Sequence, residues 1–386
     1  MSSGRLAVAG LYAGGFLGPF AGGVTVSMLP ELGADFGVSA QTASASLTAY
    51  LVPFAALMLI SGTLGARWGT RRSVVTAYLV YVVSSVLCAV APSFWLFQAG
   101  RMVQGAANAF TMPLLLATVA ASTPRERLGR ALGLFSSLQA AGNTSAPLLG
   151  GLAAEATWRL AFLGVAAVAL VLAAIGLPKE ISEQRTDEPV RLRAAWRPET
   201  VLTGMGALVG WACLGGVSFL VAFRMQDAFG LGAGPRGVLL TGFGVLGLLT
   251  ARAVGRLIDR IGGRRSTLIG ALAGAGPVAL VGVLPSLAAV AALWASAGVA
   301  AQFLLVGLNT LVLSGDGDNP SGALSVVQAF RFFGQALAPV AFTPIYHASP
   351  AASFLIPAAL LVISVPAALR LIRRARSRAG RPPRFG

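Results

Sequence analysis

The chain has 386 residues, of which 56% are hydrophobic and only 11% are charged. Because a soluble surface needs many more charges, this composition excludes an ordinary soluble protein. The net charge of +16 does not indicate a nucleic-acid partner, because the basic residues are concentrated in alternate connections between apolar stretches.

Twelve stretches of the sequence are apolar over about 20 residues or more, the helical length that crosses a bilayer core of ~30 Å. They are predicted at residues 6–30, 44–66, 73–91, 94–121, 129–153, 158–177, 200–224, 236–258, 266–285, 287–313, 322–346 and 352–372. This pattern predicts an all-α membrane protein with twelve transmembrane helices, whose immediate surroundings are the lipid bilayer.

The distribution of basic residues predicts the orientation in the membrane. Most of the 29 Lys and Arg residues lie in the connections on the same side as the two termini, whereas the opposite connections contain only Arg159, Arg224 and Arg236. Cytoplasmic loops of membrane proteins carry an excess of Lys and Arg. We therefore predict a multi-pass protein of the plasma (inner) membrane with both termini in the cytoplasm.

The sequence repeats itself, because motifs of the first half recur 192 or 193 positions later. The recurring pairs are Gly22-Gly23-Val24 with Gly215-Gly216-Val217, Phe36-Gly37-Val38 with Phe229-Gly230-Leu231, Gly62–Arg72 with Gly255–Arg265, and Gly142 and Ala146-Pro147 with Gly334 and Ala338-Pro339. Facing repeats commonly build a transporter that binds its substrate between them. We predict two pseudo-symmetric six-helix bundles at residues 1–177 and 200–372, a cytoplasmic linker at 178–199 and a basic cytoplasmic tail at 373–386.

Glu31 lies at the outer end of the first span, on the same side of the membrane as Arg101 in the fourth span. Proton exchange needs a group that titrates, and none of the acidic residues is placed in the middle of a span. Glu31 is therefore the candidate for coupling, paired either with Arg101 or with its repeat mate Arg224. An ordinary interface charge is the equal alternative.

The connection after the second span and its repeat share a pattern of glycines and basic residues. The residues are Gly62, Arg67, Gly69, Arg71 and Arg72 in the first copy, and Gly255, Asp259, Arg260, Gly262, Arg264 and Arg265 in the second. Both copies resemble the loop signature of the major facilitator superfamily, Gly-x-Leu-x-Asp-Arg-x-Gly followed by basic residues. The resemblance implies a conformational latch, in which glycine permits a tight turn and an acid accepts hydrogen bonds from Arg or a helix N-terminus. The alternative is that these arginines only enforce topology.

The first copy of this loop departs from the family pattern, since Ala66 stands where the family has the acid. An acceptor for its arginines must then come from elsewhere, or the latch is weaker on that side. Asp316 and Asp318, in the connection before the eleventh span, are the candidates.

The fourth span contains Arg101, Gln104 and Gly105, which resemble the Arg-x-x-Gln-Gly element of the same superfamily. Arg101 lies about seven residues from the outer edge, which is ~10 Å at 1.5 Å per residue. An arginine at this depth needs a polar interior and marks a functional site. The resemblance implies proton coupling, and the alternative is a side chain that extends to the outer interface.

The fifth span contains Gly142, Pro147, Gly150 and Gly151, which resemble the antiporter signature of the superfamily, with Ala146 in place of one glycine. In the family this element accompanies efflux rather than uptake. Together with the loop signatures, it makes the whole chain similar to the twelve-span drug:proton antiporter group.

A second deep arginine, Arg331, lies near the middle of the eleventh span at the repeat position of Gln139. Two buried arginines with few buried carboxylates favour anionic or neutral polar substrates. Asn108, Gln139 and Asn143 are intramembrane polar residues that are candidates to line the substrate path. The alternative is that amide and carbonyl groups satisfy both arginines in a structural role.

These features predict a secondary active transporter that exports a small organic compound, drug-like or a metabolite, in exchange for protons through alternating access. A metabolite uptake symporter or facilitator of the same fold is the alternative, and a non-transporting receptor is a further one. The sequence gives no support for an enzyme, and we expect no cofactor and no metal. We expect the chain to function as a monomer, because a duplicated chain encloses a pathway alone.

Overall fold

The computed structural model describes residues 3–177, 196–314 and 320–379, and every regular element within these ranges is helical. A 3₁₀ turn at Val26–Met28 separates the first two helices. The α-helices of the described residues are α1 (Ser3–Gly23), α2 (Leu29–Asp35), α3 (Ala40–Ala43), α4 (Ala45–Trp68), α5 (Thr70–Val90), α6 (Phe94–Ser122), α7 (Arg125–Ala156), α8 (Arg159–Ile175), α9 (Pro198–Cys213), α10 (Ser218–Asp227), α11 (Ala233–Val283), α12 (Leu287–Leu313), α13 (Pro320–Ala348) and α14 (Pro350–Ala379).

Eight helical segments of the described residues are long and apolar enough to cross a membrane. Each of the stretches predicted from the sequence falls on helix. However, α8 has only 17 residues, α11 covers two of the predicted stretches, and the polar residues of α7 and α13 lower their hydropathy. The all-helical fold is confirmed, and the number of twelve crossings stays a prediction.

Large apolar side chains remain exposed along the helices. Val83 is 69% exposed, Leu249 is 74% exposed and Ile363 is 66% exposed. Soluble monomers rarely expose contiguous apolar surface of this extent. Because hydrocarbon is the solvent that suits such side chains, the chain is a multi-pass membrane protein.

The two copies of the glycine-containing loop have the same backbone turn. Gly69, between α4 and α5, has φ +90°, and Gly262 has φ +79°. Gly262 is the non-helical residue inside α11, which therefore consists of two helices at 233–261 and 263–283. Because an L side chain rarely adopts positive φ, glycine is required at both turns.

Other paired positions also have matching local structure. Gly37 and Gly230 have φ +66° and +65°. Ser93 caps α6 by accepting a hydrogen bond from the backbone N–H of Leu96, and Ser286 caps α12 in the same way. Each pair is separated by 193 positions, so the repeat in the sequence is also a repeat in the backbone.

Helix packing repeats in the same manner. A Cβ atom on Gly142 would overlap the carbonyl oxygen of Phe16, and a Cβ atom on Gly334 would overlap the carbonyl oxygen of Leu208. Both pairs are related by 192 positions. Small residues allow this close approach of helices in membranes, so α1 packs on α7 in the way that α9 packs on α13.

By contacts between Cα atoms the chain forms two compact units. The first unit comprises Met1–Pro189 and Ser218–Leu248, and the second comprises Val190–Val217 and Leu249–Gly386. The segment Ser218–Leu248 thus groups with the first unit, although the sequence assigns it to the second bundle. The predicted boundaries stay a prediction, because 178–195 of the linker and 380–386 of the tail lie outside the described residues.

Candidate functional site

Arg101 lies in α6 of the first unit, with its side chain fully buried. Its Nη1 donates to the carbonyl oxygen of Ala21 at 3.0 Å and to Oε1 of Gln104 at 2.7 Å. The guanidinium carbon lies 4.4 Å from the ring centre of Tyr50 and 5.7 Å from that of Phe162, which gives favourable cation–π contacts. Arg101 is therefore enclosed by protein groups, and its role in proton coupling stays a prediction.

The surroundings of Arg101 satisfy only part of its hydrogen-bonding capacity and do not balance its charge. Nε and Nη2 have no hydrogen-bond partner among the described residues, and no described carboxylate forms an ion pair with it. Gln104, which accepts from Arg101, donates its own Nε2 to Oγ of Ser85 at 2.7 Å. The predicted element of the fourth span is thus a connected polar network inside the unit.

Tyr50 extends this network from α6 to α1. Its hydroxyl donates to the carbonyl oxygen of Gly18 at 3.0 Å and lies 2.7 Å from the hydroxyl of Tyr81. The backbone of Tyr50 lies against Gly105, where an added Cβ atom would overlap the Tyr50 carbonyl oxygen. Gly105 therefore serves helix packing, and it brings the ring of Tyr50 onto Arg101.

The polar candidates of α6 and α7 have different environments. Asn108 is only 2% exposed, and its Oδ1 accepts from the hydroxyl of Thr111 at 3.0 Å. It lies against Gly18, where a Cβ atom would overlap Oδ1. Gln139 is half-buried and Asn143 is exposed. Asn108 is therefore part of the packed interior, whereas Asn143 is accessible.

The glycines of the antiporter-like element place α7 against the backbones of other segments in the first unit. A Cβ atom on Gly150 would overlap the carbonyl oxygen of Val24, and one on Gly151 would overlap that of Ala233 at the start of α11. The carbonyl oxygen of Pro147 accepts a hydrogen bond from the hydroxyl of Ser27 at 2.7 Å. This part of α7 thus has close contacts with the end of α1, the 3₁₀ turn and α11.

Arg236, in the first turn of α11, is the second fully enclosed arginine of this unit. Nε and Nη2 donate to the carbonyl oxygen of Ser27 at 3.1 and 3.0 Å, and Nη1 donates to that of Leu231 at 2.9 Å. Nη2 lies 2.5 Å from each carboxylate oxygen of Glu31. Arg236 is 1% exposed and Glu31 is 31% exposed.

This ion pair differs from the expectation for Glu31. The sequence suggested Arg101 or Arg224 as its partner, whereas the structure pairs Glu31 with Arg236. From the sequence, Arg236 is expected in an outer connection, as a charge that sets topology. No repeat signal marks it, because Ala43 stands 193 positions earlier.

A second ion pair at the same helix provides a contrast. Asp35, one turn after Glu31, lies 2.5 Å from Nη1 of Arg159, and the two side chains are 40% and 34% exposed. Exposed pairs of this kind contribute only ~0–1 kcal/mol to stability. The Glu31 pair is distinguished by its buried arginine.

In the second unit, Arg331 lies in α13 beside a small pocket. Its Nη1 donates to Oε1 of Gln328 at 3.0 Å, and Gln328 donates to Oδ1 of Asn309 at 3.3 Å. The guanidinium carbon lies 4.5 Å from the ring centre of Trp211 and 4.9 Å from that of Phe332. Nε of Arg331 has no partner among the described residues.

The latch residues have defined turns, and the predicted charge contacts stay a prediction. Arg67 and Arg72 in the first copy and Asp259, Arg260, Arg264 and Arg265 in the second are exposed, and Arg71 is half-buried. Gly62 and Gly255 have open space around an added Cβ atom. Among the described residues no ion pair joins Asp259 to these arginines. Asp316 and Asp318 lie outside the described residues, as does the side chain of Ala66.

Comparison with known proteins finds relatives that match less than half of the chain. EfpA of Mycobacterium tuberculosis, an uncharacterized MFS-type transporter, is 31% identical over 172 residues, which are 44% of this chain and 32% of EfpA. The drug efflux pump JefA of the same species is 30% identical over 191 residues, which are 48% of this chain and 36% of JefA. The chain thus matches about a third of the length of these curated relatives.

Solved structures of low sequence identity have the same fold. A bacterial homolog of the human lysosomal transporter Spinster has a TM-score of 0.78 at 16% identity, over 99% of both chains. A POT family transporter has a TM-score of 0.77 at 12% identity, over 95% of this chain and 96% of that one. Residues 11–339 match the sequence profile of the Major Facilitator Superfamily. The chain belongs to this superfamily of transporters.

Proposed function

We propose that this protein is a secondary active transporter that exports a small organic compound, drug-like or a metabolite, in exchange for protons by alternating access. The proposal includes twelve membrane spans, both termini in the cytoplasm, a location in the plasma membrane and function as a monomer. It is supported by the names of JefA and of the multidrug resistance protein B homolog, which is 34% identical over 151 residues. The antiporter-like element of α7 also supports it.

The observation that carries the proposal is the ion pair between Glu31 and the buried Arg236. A proton drives transport only if its binding changes the relative free energies of two conformations. Protonation of Glu31 removes the negative charge that balances Arg236. The guanidinium would then keep only neutral acceptors, which are the carbonyl oxygens of Ser27 and Leu231 and an oxygen of the protonated Glu31.

The magnitude of this effect is large enough to shift a conformational equilibrium. Removal of one partner from a buried ion pair costs ~3–5 kcal/mol. Because Glu31 is partly exposed, we expect the lower end, about 3 kcal/mol, which is more than a hundredfold in population. Proton uptake at Glu31 would therefore favour conformations in which the contact between α2 and the start of α11 is broken.

The remaining candidates have assigned roles in this proposal. Arg101 and Gln104 form a fixed positive network beside α1, and the unpaired N–H groups of Arg101 are donors that a substrate oxygen or a water molecule would satisfy. Gln139 and Asn143 are assigned to the substrate path, whereas Asn108 packs in the interior of the unit. The glycines and charges of the two loops, Gly62, Arg67, Gly69, Arg71, Arg72, Gly255, Asp259, Arg260, Gly262, Arg264 and Arg265, are assigned to the latch.

Transport by purified protein in liposomes tests the assignment of Glu31. Export of ethidium, chloramphenicol and benzoate from an efflux-deficient bacterial host first identifies a transported compound. With that compound, we expect Glu31→Gln to retain exchange between labelled and unlabelled substrate but to lose accumulation driven by a pH gradient. Asp35→Asn is the matched control, because it removes a paired carboxylate one turn away.

Two results would contradict the proposal. Gradient-driven accumulation by Glu31→Gln at the wild-type level would exclude Glu31 as the coupling group. An equal loss of gradient-driven accumulation in Asp35→Asn would show that any charge change at this helix impairs transport.

An uptake symporter or a facilitator is the second candidate function. It is favoured by the position of Glu31 near the end of the candidate span Leu6–Asp35 rather than at its middle. Exchange that is unaffected by the pH gradient in the wild type would support a facilitator. Accumulation of the substrate in the same direction as proton movement, rather than in the opposite direction, would support a symporter.

A further inference from the structure

The pocket beside Arg331 in the second unit combines polar and apolar walls. Its cavity volume is about 10 Å³, which is room for about one water molecule, and the cavity opens to solvent. Its principal lining residues are Trp211, Leu305, Leu308, Asn309, Gln328 and Arg331. All of them belong to the second unit, so the pocket is formed within one compact body.

The hydrogen bonds around the pocket leave its positive charge without a counter-ion. Gln328 and Asn309 are neutral and use their side-chain oxygens as acceptors, the first for Arg331 and the second for Gln328. No carboxylate among the described residues pairs with Arg331. An unbalanced charge in apolar surroundings is costly. An anion that enters the pocket would therefore supply the negative charge that no described residue provides.

The aromatic contacts fix the orientation of the guanidinium. Arg331 stacks on Trp211 and Phe332, at 4.5 and 4.9 Å from their ring centres. Stacking holds the plane of the guanidinium, and Nη1 is already bonded on one side. The Nε edge has no partner among the residues that the structure describes. A planar guanidinium edge matches the geometry of a carboxylate, which it binds through parallel charge-assisted hydrogen bonds.

The internal repeat argues against a purely structural role for these residues. The packing glycines recur, because Gly142 and Gly334 have equivalent contacts. The pocket residues do not recur, because at the offset of 192 that relates Leu208 to Phe16, Arg331 corresponds to Gln139 and Trp211 corresponds to Pro19. The first unit therefore packs its equivalent helices without an arginine stacked on a tryptophan.

We propose that this pocket is a subsite for the carboxylate of a small organic acid, so that the exported compound is an organic anion. Arg331 binds the carboxylate through its Nε edge. Because the cavity is small, Trp211, Leu305 and Leu308 must move apart to admit the apolar body of the ligand, which they then contact. The assignment of the ligand as the exported compound rests on the proposed function. The binding chemistry itself does not require transport.

Binding of radiolabelled benzoate to the purified protein in detergent tests the subsite. Benzamide and benzylamine serve as neutral and cationic competitors of the same shape. We expect wild-type protein to prefer benzoate over benzamide by at least tenfold, the ratio typical of one hydrogen bond to a charged group. Arg331→Gln should weaken benzoate binding about tenfold to a hundredfold, and Arg331→Lys should weaken it less.

Arg252→Gln is the matched control, since Arg252 is an exposed arginine of the same unit, and it should bind benzoate like the wild type. Equal affinity of the wild type for benzoate and benzamide would overturn the subsite, and this comparison needs no variant to fold. Unchanged benzoate affinity in Arg331→Gln would also overturn it.

The outcomes separate the subsite from the proposed function. Benzoate binding that depends on Arg331, without export driven by a pH gradient, would refute the exporter and keep the subsite. Gradient-driven export of a neutral compound, without benzoate binding, would refute the subsite and keep the exporter.

Discussion

Replacement of Gly142 by alanine tests the close packing of α7 on α1. The added Cβ atom would overlap the carbonyl oxygen of Phe16, whereas a Cβ atom on Gly133 in the same helix has no neighbour within 4 Å. Both changes gain about 0.5–1 kcal/mol from the better helix propensity of alanine. Overpacking costs about 1–3 kcal/mol, and the upper end applies because a backbone carbonyl cannot rotate away.

We therefore expect Gly142→Ala to destabilise the protein by about 2 kcal/mol, the overpacking cost less the propensity gain. Gly133→Ala should be neutral or stabilising. Thermal denaturation in detergent, followed by fluorescence-detected size-exclusion chromatography, measures both variants against the wild type. Gly334→Ala should behave like Gly142→Ala, because its Cβ atom would overlap the carbonyl oxygen of Leu208. Equal melting temperatures of Gly142→Ala and Gly133→Ala would refute the packing argument.

Two further predictions concern the turns and the polar network. Gly69→Ala and Gly262→Ala force an L side chain to positive φ with extended ψ, and each should cost ~1–3 kcal/mol. Gly62→Ala, with open space around its Cβ position, should be neutral. Equal thermal stability of all three variants would contradict the role of φ. Tyr50→Phe keeps the ring under Arg101 but loses the hydroxyl contacts with Gly18 and Tyr81. We therefore expect the variant to lose about 1–3 kcal/mol of stability and to retain transport. Loss of transport at normal thermal stability would instead place the hydroxyl in the transport mechanism.

The sequence predicted those features of the fold that depend on neighbouring residues, such as helices and turns. Apolar length predicted helix at each stretch, and the recurring glycines predicted recurring geometry. Gly69 and Gly262 have the same positive φ because no other residue adopts it easily. The superfamily assignment followed from the same loops and is confirmed by the match over residues 11–339.

The sequence predicted the site less completely, because long-range pairing leaves no local pattern. Glu31 and Arg236 are separated by 205 positions, and neither neighbours a motif that points to the other. The sequence identified Arg101 and Arg331 as deep cations, since a charge within an apolar run is visible. It did not identify Trp211 or Tyr50 as the rings on which they stack, because aromatic residues are common in apolar helices.

The boundary of the second loop also differed from expectation for a physical reason. The sequence predicts a connection between spans at residues 259–265, but helix continues on both sides of Gly262. One glycine at positive φ is enough to redirect the chain. Charges at the ends of the two helices therefore do not require a long loop.

The doubled glycine contacts have a consequence for genetics. Because the chain contains an internal repeat, a packing position that tolerates no substitution in the first half recurs 192 or 193 residues later. A substitution that is harmful at such a position in one repeat is therefore expected to be harmful at the equivalent position in the other, as for Gly142 and Gly334. Arg236 and Arg331 have no such counterpart, so a harmful variant at either position should have no equivalent in the other half.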